Sequence, residues 1–321
     1  MSGFLSAKRT IGFATESPAY TASTLAVTDY NLSAYNINYD PDIAMKARDL
    51  ARGNFSRDPS ISGKRQISIS FSVDLCYSGT VGTAPSYYKC LQSCGLKQIS
   101  YGTGVELVTD AAYSNVPSTI EVVEKDEGVS PVQVVVKAHG CMGNAKIILD
   151  NIGEPVRIDF DFKGVLNGIT DRAFATILTP TGFDTPNPDA MLGITTTIYS
   201  EAFKFNKITI DLGNDVQVWT DPSKAQGLEG ARIVDRNPSL DIDPDMSLIA
   251  TNAHYTRHIN NTTGALALTT NRFVISAPAA QIIQSYKPGD REGHVVNQMR
   301  FELKGTGVGN NDLSILQGAR S

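Results

Sequence analysis

Two histidines four residues apart, His254 and His258, are the best-spaced candidates in this chain for holding a metal ion. On a helix that spacing would offer both imidazoles to one cation. A zinc peptidase sets a glutamate directly after the first histidine, and here the run is Ala253-His254-Tyr255. The pair therefore reads as two polar helix residues. His139-Gly140-Cys141 places an imidazole and a thiol two positions apart. A strand would put both on one face, but the intervening glycine signals a turn, and a Cys-His nucleophile also needs contact and an orienting partner. Asp241, Asp243 and Asp245 alternate as calcium ligands do. They lack the central glycine and the closing glutamate of a calcium loop, and read as strand-end and helix-cap carboxylates. Gly102-Thr103-Gly104 and Gly305-Thr306-Gly307-Val308-Gly309 lack the lysine of a nucleotide loop and read as hairpin turns. Trp219, the single tryptophan, is assigned to the core. No catalytic, cofactor-binding or metal-binding residue is predicted, and no enzymatic activity.

The elements that would position any such groups are mostly strands. Gln66 to Val73 alternates strictly, with Ile67, Ile69, Phe71 and Val73 on one face and Gln66, Ser68, Ser70 and Ser72 on the other. A period of two buries one face of a sheet and wets the other. Asn36 to Asp40 and Lys207 to Leu212 read the same way. Further strands are expected at Val132 to Ala138, Lys146 to Asp150, Val156 to Phe162, Val216 to Trp219, Leu266 to Thr269 and Arg272 to Ser276. Asp150-Asn151-Ile152-Gly153-Glu154-Pro155 is a hairpin signal, and Lys287 to Gly293 holds the same place later in the chain. Two helices are expected. One lies within Thr83 to Gly95, with an early proline and a closing glycine. The other runs from about Asp245 to His258, led by Asp243-Pro244. Two long segments, Asp40 to Ser62 and Gly213 to Glu229, fit no tidy strand; their matched positions favour docking onto a neighbour.

Composition bounds the function. The 321 residues are 41% hydrophobic and 19% charged, with a net charge of −5, which fits a folded chain of two ordinary domains. No cluster of Lys and Arg forms a phosphate-gripping surface, since Lys8-Arg9 and Lys64-Arg65 are isolated pairs. Met1 to Arg9 does not read as a signal peptide, and no stretch reaches the apolar length of a membrane span. Cys76, Cys90, Cys94 and Cys141 show no disulfide or zinc spacing, and synthesis in a reducing cytoplasm is expected.

The chain also repeats itself. Arg157-Ile158-Asp159-Phe160-Asp161-Phe162-Lys163-Gly164 matches Gln298-Met299-Arg300-Phe301-Glu302-Leu303-Lys304-Gly305, with Phe160 on Phe301 and Gly164 on Gly305. Gly63 to Asp74 resembles Gly230 to Asp241 in the same order. Two pairs in matching order point to duplication. The expected fold is all-β with short helices, in two tandem, similar β-sandwich or barrel domains. These are residues 1–178 and 179–321, joined by a proline-containing linker over about 178–192.

The order of short motifs resembles the tail tube (major tail) proteins of long-tailed, non-contractile (siphovirus-type) phages. The matching runs are Lys8-Arg9-Thr10, Thr15-Glu16-Ser17-Pro18 and Ser62 through Val73. They continue with Tyr77-Ser78-Gly79, Ala84-Pro85, Cys94-Gly95, His139 to Asn144, Ile152 to Pro155 and Ile158 to Gly164. The second half adds Phe205 to Asn214, Arg236-Asn237-Pro238 and Asp243-Pro244-Asp245. The resemblance implies a non-enzymatic subunit without cofactors, made in the host bacterial cytoplasm and resident in the virion tail. Stacked rings would form a hollow conduit for DNA. Its partners would be itself, as a homotrimer ring with pseudo-sixfold symmetry, the tape measure protein, and the tail terminator and distal tail or baseplate proteins. Double-stranded DNA would pass without specific binding, and no membrane is involved. On this reading the polar strand faces line the bore: Ser68, Ser70, Ser72, Asp74, Asp159 and Asp161, with Asp235, Ser239, Asp241 and Glu302 from the second half. Arg157, Lys163, Arg300 and Lys304 share these faces and could pair with the carboxylates. The alternatives are a head-decoration or receptor-binding β module, or a secretion-system tube subunit.

Overall fold

The computed structural model describes residues 4–48, 58–80, 82–101, 104–109, 115–126, 132–172, 183–184, 188–248, 253–307 and 311–318. In the first half the strands are β1 (Phe4–Thr15), β2 (Ala34–Arg48), β3 (Asp58–Asp74), β4 (Leu96–Tyr101), β5 (Gly104–Thr109), β6 (Ser118–Asp126), β7 (Gln133–Asp150) and β8 (Arg157–Arg172). Helix α1 (Tyr88–Gln92) follows β3. The second half begins with β9 (Thr195–Ile198), β10 (Glu201–Ala202), β11 (Lys207–Asp211), β12 (Asn214–Thr220), β13 (Leu228–Arg236) and β14 (Ser239–Ile242). It continues with α2 (His254–Ile259), β15 (Thr263–Thr269), β16 (Phe273–Gln284), β17 (Pro288–Arg291), β18 (His294–Asn297), β19 (Met299–Lys304) and β20 (Ser314–Gly318). The protein is all-β with two short α-helices among the described residues, as its alternating patterns predict.

Every strand pair is antiparallel, and the pairing follows the same path twice. The first half runs β1-β6-β7-β8-β3-β2, and the second runs β9-β15-β16-β19-β14-β11. Phe160 lies opposite Phe71, and Phe301 lies opposite Leu240. With Phe160 set on Phe301, Asp241 therefore matches Ser72. That corrects the sequence match of Asp74 with Asp241 by two residues. The kink at Gly213 and Asn237-Pro238, which separates β11–β14 from β12–β13, absorbs the slip. At Gly213 (φ +63) an added Cβ would lie 2.0 Å from the Asn237 carbonyl oxygen, so only glycine closes the kink.

The halves join through hydrogen-bonded strands. β11 pairs with the end of β7, from Lys207 opposite Asp150 to Asp211 opposite Lys146. β20 lies between β16 and β5. One continuous apolar cluster consequently runs through both halves, from Ile11 to Ile315. Its densest part is aromatic. The Phe71 ring lies 5.2 Å from Phe160 and 5.8 Å from Phe162, and Phe162 meets Phe13 of β1 at 5.5 Å. Contacts of this kind contribute about 0.5–1.5 kcal/mol each beyond simple burial. Phe13 reaches across from β1 while Phe71 and Phe162 sit on neighbouring strands, so two sheet layers meet there.

Several sequence expectations change. Val132 to Ala138 and Lys146 to Asp150 are parts of one strand, β7. Asp40 to Ser62 and Gly213 to Glu229 are hairpin arms rather than loops, β2–β3 and β12–β13, with residues 49–57 outside the described residues. Lys287 to Gly293 opens a small ribbon, β17–β18, turning at Glu292-Gly293. The first helix is the single turn α1, preceded by turns and closed by Gly95 (φ +84). The second spans only His254–Ile259. Asp245 and Met246 donate their backbone N–H groups sideways, to Lys204 and Val295, so no helix starts there. Residues 249–252 lie outside the described residues, as do 178–182 and 185–187 of the expected linker. The described end of that linker is well packed: Asp189 is buried and accepts from Thr270, and Met191 joins the core. Trp219 is not in the core. It is exposed on an arm, with the Arg232 guanidinium 3.1 Å over its ring.

β7 pairs with β6 up to Cys141 and with β11 from Lys146 onward, and a bulge at Gly140 (φ +59) precedes the change. Glu16 holds that bulge. Its Oε1 accepts from the Gly140 N–H at 2.7 Å and from the Thr119 hydroxyl at 2.8 Å, while Oε2 is buried without a partner. Burial pushes the carboxyl above its ordinary range, against the lowering effect of these bonds and of Lys137. A raised carboxyl pKa means that the folded state binds more protons than the unfolded one between the ordinary value of about 4.3 and the folded value. This group's contribution is full below that window and falls as pH rises through the folded pKa. Denaturant titrations of wild type and Glu16→Gln should therefore differ in pH dependence. The stability difference should move against wild type as pH rises above about 4.3. A difference that stays flat to neutral pH would show that Glu16 ionises normally.

Candidate functional site

The chemical candidates in the sequence do not assemble into a reactive centre. His254 stacks on Phe203, whereas His258 contacts the Ser285 hydroxyl through Nδ1 at 2.9 Å, so the two imidazoles serve different neighbours. His139 and Cys141 flank the Gly140 bulge, and Cys141 is fully buried with its thiol raised by desolvation. Cys90 and Cys94 are buried in the core, and the half-buried Cys76 thiol is pushed up to about 12. Thiols this far above neutrality are poor nucleophiles. Asp241 faces Arg300, and Asp243 and Asp245 both face Arg291. No group of three or more metal-ligating residues occurs among the described residues.

The structure instead builds a broad polar sheet face. Eight strands lie side by side in the order β2-β3-β8-β7-β11-β14-β19-β16. The alternate residues pointing away from the core form one surface. A row crosses all eight strands through Tyr35, Ser72, Asp159, Lys146, Asp211, Ser239, Glu302 and Gln281, each opposite the next. Ser68, Ser70, Asp74, Asp161 and Asp241 lie on the same face in neighbouring rows. Nine of the ten residues expected to line a bore are thus brought together. Asp235 is not among them, because it sits in β13, opposite Asp215 on the separate ribbon.

Charges on this face are largely neutralised in place. Lys146 meets Asp211 at 3.1 Å and Lys207 meets Asp150 at 3.2 Å, both across the β7–β11 seam. Arg157 lies 3.6 Å from Asp159, Arg300 3.7 Å from Asp241 and Lys304 3.2 Å from Glu302. The Ser72 hydroxyl donates to Asp159 at 2.7 Å, and the Tyr35 hydroxyl donates to Asp74 at 2.9 Å. Asp211 is desolvated, yet Asn144, the Gly213 N–H and Lys146 hold its carboxyl below the ordinary range. Asp161 is exposed and stands opposite Asn144 and Ser70. The result is a surface whose charges largely cancel in pairs, with a hollow between Lys207, Thr209, Asp241 and Arg300. Cross-strand pairing of this kind is what the alternating Arg, Asp and Lys pattern allowed. The seam residues Lys146, Asp150, Lys207 and Asp211 were visible as strand residues, but nothing in the sequence identified them as each other's partners.

Behind the other edge lies a buried charge cluster. The Glu121 carboxylate accepts from the Tyr30 hydroxyl and from Arg172 at 2.8 Å, and lies 3.2 Å from Lys137. Burial opposes its ionisation, but these partners outweigh it and hold the carboxyl below the ordinary range. This cluster ties the segment before β2 to β6, β7 and β8.

A broad, largely neutralised polar sheet face on an all-β chain suits a structural protein. The chain belongs to the phage tail tube protein family, whose family model matches residues 5–303. No curated protein matches the chain. No helix among the described residues is long and apolar enough to cross a membrane.

The seam allows its forces to be ranked. Exposed ion pairs contribute about 0–1 kcal/mol each, whereas truncating a buried isoleucine to alanine costs about 2–5 kcal/mol. Ile208 and Ile210 of β11 are fully buried, while Lys146 and Lys207 are half-exposed. Urea denaturation should show Ile210→Ala losing about 3 kcal/mol and Lys146→Ala less than about 1 kcal/mol. The reverse ranking would mean that the ion pairs hold the halves together.

Proposed function

We propose that the protein is a non-enzymatic tube subunit of a long, non-contractile phage tail, and that three copies close a ring that stacks into a conduit for DNA. Residues 1–178 and 179–321 act as two tandem tail-tube domains. The observation that carries this reading is the seam. Within one chain, the edge strand of the second half (β11) adds to the long strand β7 of the first half. The edge strand at the corresponding place in the first half is β2, and the strand corresponding to β7 is β16. Repeating the same junction between chains puts β2 of one copy beside the end of β16 of the next. A junction of one kind, used alternately within and between chains, closes on itself and covers sheet edges that would otherwise invite uncontrolled pairing.

The register supports a ring of that size. The row from Tyr35 arrives at Asp211 in β11, whereas Thr209 is the residue matched to Tyr35, so each four-strand unit shifts by two residues. Six such units make a barrel of about 24 strands with a tilt of about 20°, given strands about 4.8 Å apart rising about 3.3 Å per residue. Its backbone diameter is about 40 Å. This leaves room for a DNA duplex within the side chains of the polar face. A lining with its cations already paired offers phosphate little to grip, so DNA passes without being held. The tape measure protein would occupy the same bore before DNA does. The tail terminator and the distal tail or baseplate proteins would meet the two ends of the stack.

Cryo-electron microscopy of assembled protein tests both features. Threefold rings with a backbone bore of about 40 Å are expected, with Ser70, Asp161, Ser239 and Glu302 facing the channel. Six chains per ring would overturn the trimer, and a bore lined mainly by Lys and Arg would overturn the lining.

A further inference from the structure

The polar face is not level. A hollow of about 310 Å³ lies at one end of β11, β14, β19 and β16, between Lys207, Thr209, Asp241 and Arg300. Lys287 and Gln298, at the foot of the β17–β18 ribbon, line its other side. The repeat shows why the hollow exists. Tyr35 lies opposite Ser72 and Thr209 lies opposite Asp241, so Thr209 stands where Tyr35 stands in the first half. By the same register Gln298 stands for Arg157 and Gln284 for Lys146. Three long side chains of the first half are thus replaced by shorter ones. The Tyr35 hydroxyl donates to Asp74 at 2.9 Å, and Asp243, the residue matched to Asp74, has no such ring beside it.

The charges around the hollow leave one cation over. Asp243 accepts the backbone N–H groups of Asn206 at 3.0 Å and Lys207 at 2.7 Å, and it lies 3.5 Å from Arg291. The Lys207 ammonium is 3.2 Å from Asp150, and Arg300 is 3.7 Å from Asp241. The exposed Lys287 ammonium has no ion-pair or hydrogen-bond partner among the described residues. The Thr209 hydroxyl and the Gln284 and Gln298 amides add uncharged donors to the lining.

We propose that this hollow binds a carboxylate carried on a short flexible stem, the glutamate side chain of an extended polypeptide, with its charge on Lys287 and Arg300. An unmatched ammonium beside a loosely matched guanidinium gives an incoming oxyanion charge-assisted hydrogen bonds. The single surplus positive charge suits a monoanion, and Asp241 and Asp243 repel a dianion such as a phosphate monoester. A phosphate of duplex DNA carries a sugar on either side and meets only the rim. A carboxylate at the end of a stem reaches in between Thr209 and Gln298. The first half offers no equal site, because Tyr35, Lys146 and Arg157 occupy the matching space and their polar ends are matched by Asp74, Asp211 and Asp159. The hollow belongs to a single chain, so the inference stands or falls apart from the closing of a ring.

A nuclear magnetic resonance titration of the isotope-labelled full chain with N-acetylglutamate N-methylamide tests this. The amide signals of Thr209, Lys287 and Gln298 should shift and saturate, with a dissociation constant on the order of 1 mM. Lys287→Gln should weaken binding about tenfold, and Lys287→Arg should retain it. Thr209→Tyr, which rebuilds the filling of the first half, should abolish the shifts in a chain that circular dichroism shows to be folded. Lys287→Gln changes an exposed side chain and decides alone should Thr209→Tyr not fold. The neutral glutamine analogue should not bind, and inorganic phosphate and a short DNA duplex should each bind at least about tenfold more weakly. Absence of saturable shifts overturns the site, as does an affinity unchanged by Lys287→Gln. Phosphate or duplex binding as tightly as the capped glutamate overturns the carboxylate assignment.

Discussion

The structure depends on one strand that must satisfy two sheets. β7 is eighteen residues long, and its first part pairs with β6 while its last part pairs with β11. A strand has only two edges, so β7 can serve a third neighbour only by releasing the second. The Gly140 bulge marks where it does so, and the Glu16 carboxylate accepts the backbone N–H that the bulge leaves over. The raised pKa of Glu16 is the cost of placing a carboxyl inside the protein to do this. The second half gains its place on the first half through the edge that this change frees.

Periodicity in the sequence revealed the strands, because a strict alternation such as Ile67, Ile69, Phe71 and Val73 has only one sheet-compatible burial. The same alternation made the charged face legible, including nine of the ten residues assigned to it. Pairing across long separations was less legible. Nothing local marks Lys146 as the partner of Asp211, or shows that Asp235 leaves the sheet, since these outcomes depend on the kink at Gly213 and Asn237. The helix expected from Asp245 failed for a similar reason. Propensity and a leading proline favoured it, but the sideways hydrogen bonds to Lys204 and Val295 fix an extended backbone there. The β2–β3 arm looked like a loop because a ribbon exposed on both faces has no reason to alternate.

The polar face and the arms meet opposite requirements with the same kind of strand. On the face, Arg157, Arg300, Lys146, Lys207 and Lys304 each have a carboxylate within reach and Lys163 bonds a backbone carbonyl, so little positive charge is left unmatched. On the β2–β3 arm, Ile43, Met45 and Ile61 are left in water, where each costs stability until it is covered. The conduit proposed above would require both behaviours: surfaces that meet a passing polyanion must not bind it, and surfaces that meet a neighbour must.

The repeat explains how one chain can carry both. Had the halves been identical, the arm and seam formed within the chain would have had identical counterparts outside it, and nothing would distinguish internal from external contacts. Sequence divergence makes that distinction. Met142 with Val216, Ala231 and Ile233 forms a closed internal contact, whereas Ile43, Met45 and Ile61 of the matching arm are exposed. The two arms of the repeat therefore differ in kind: one is packed within the chain, and the other is left in water.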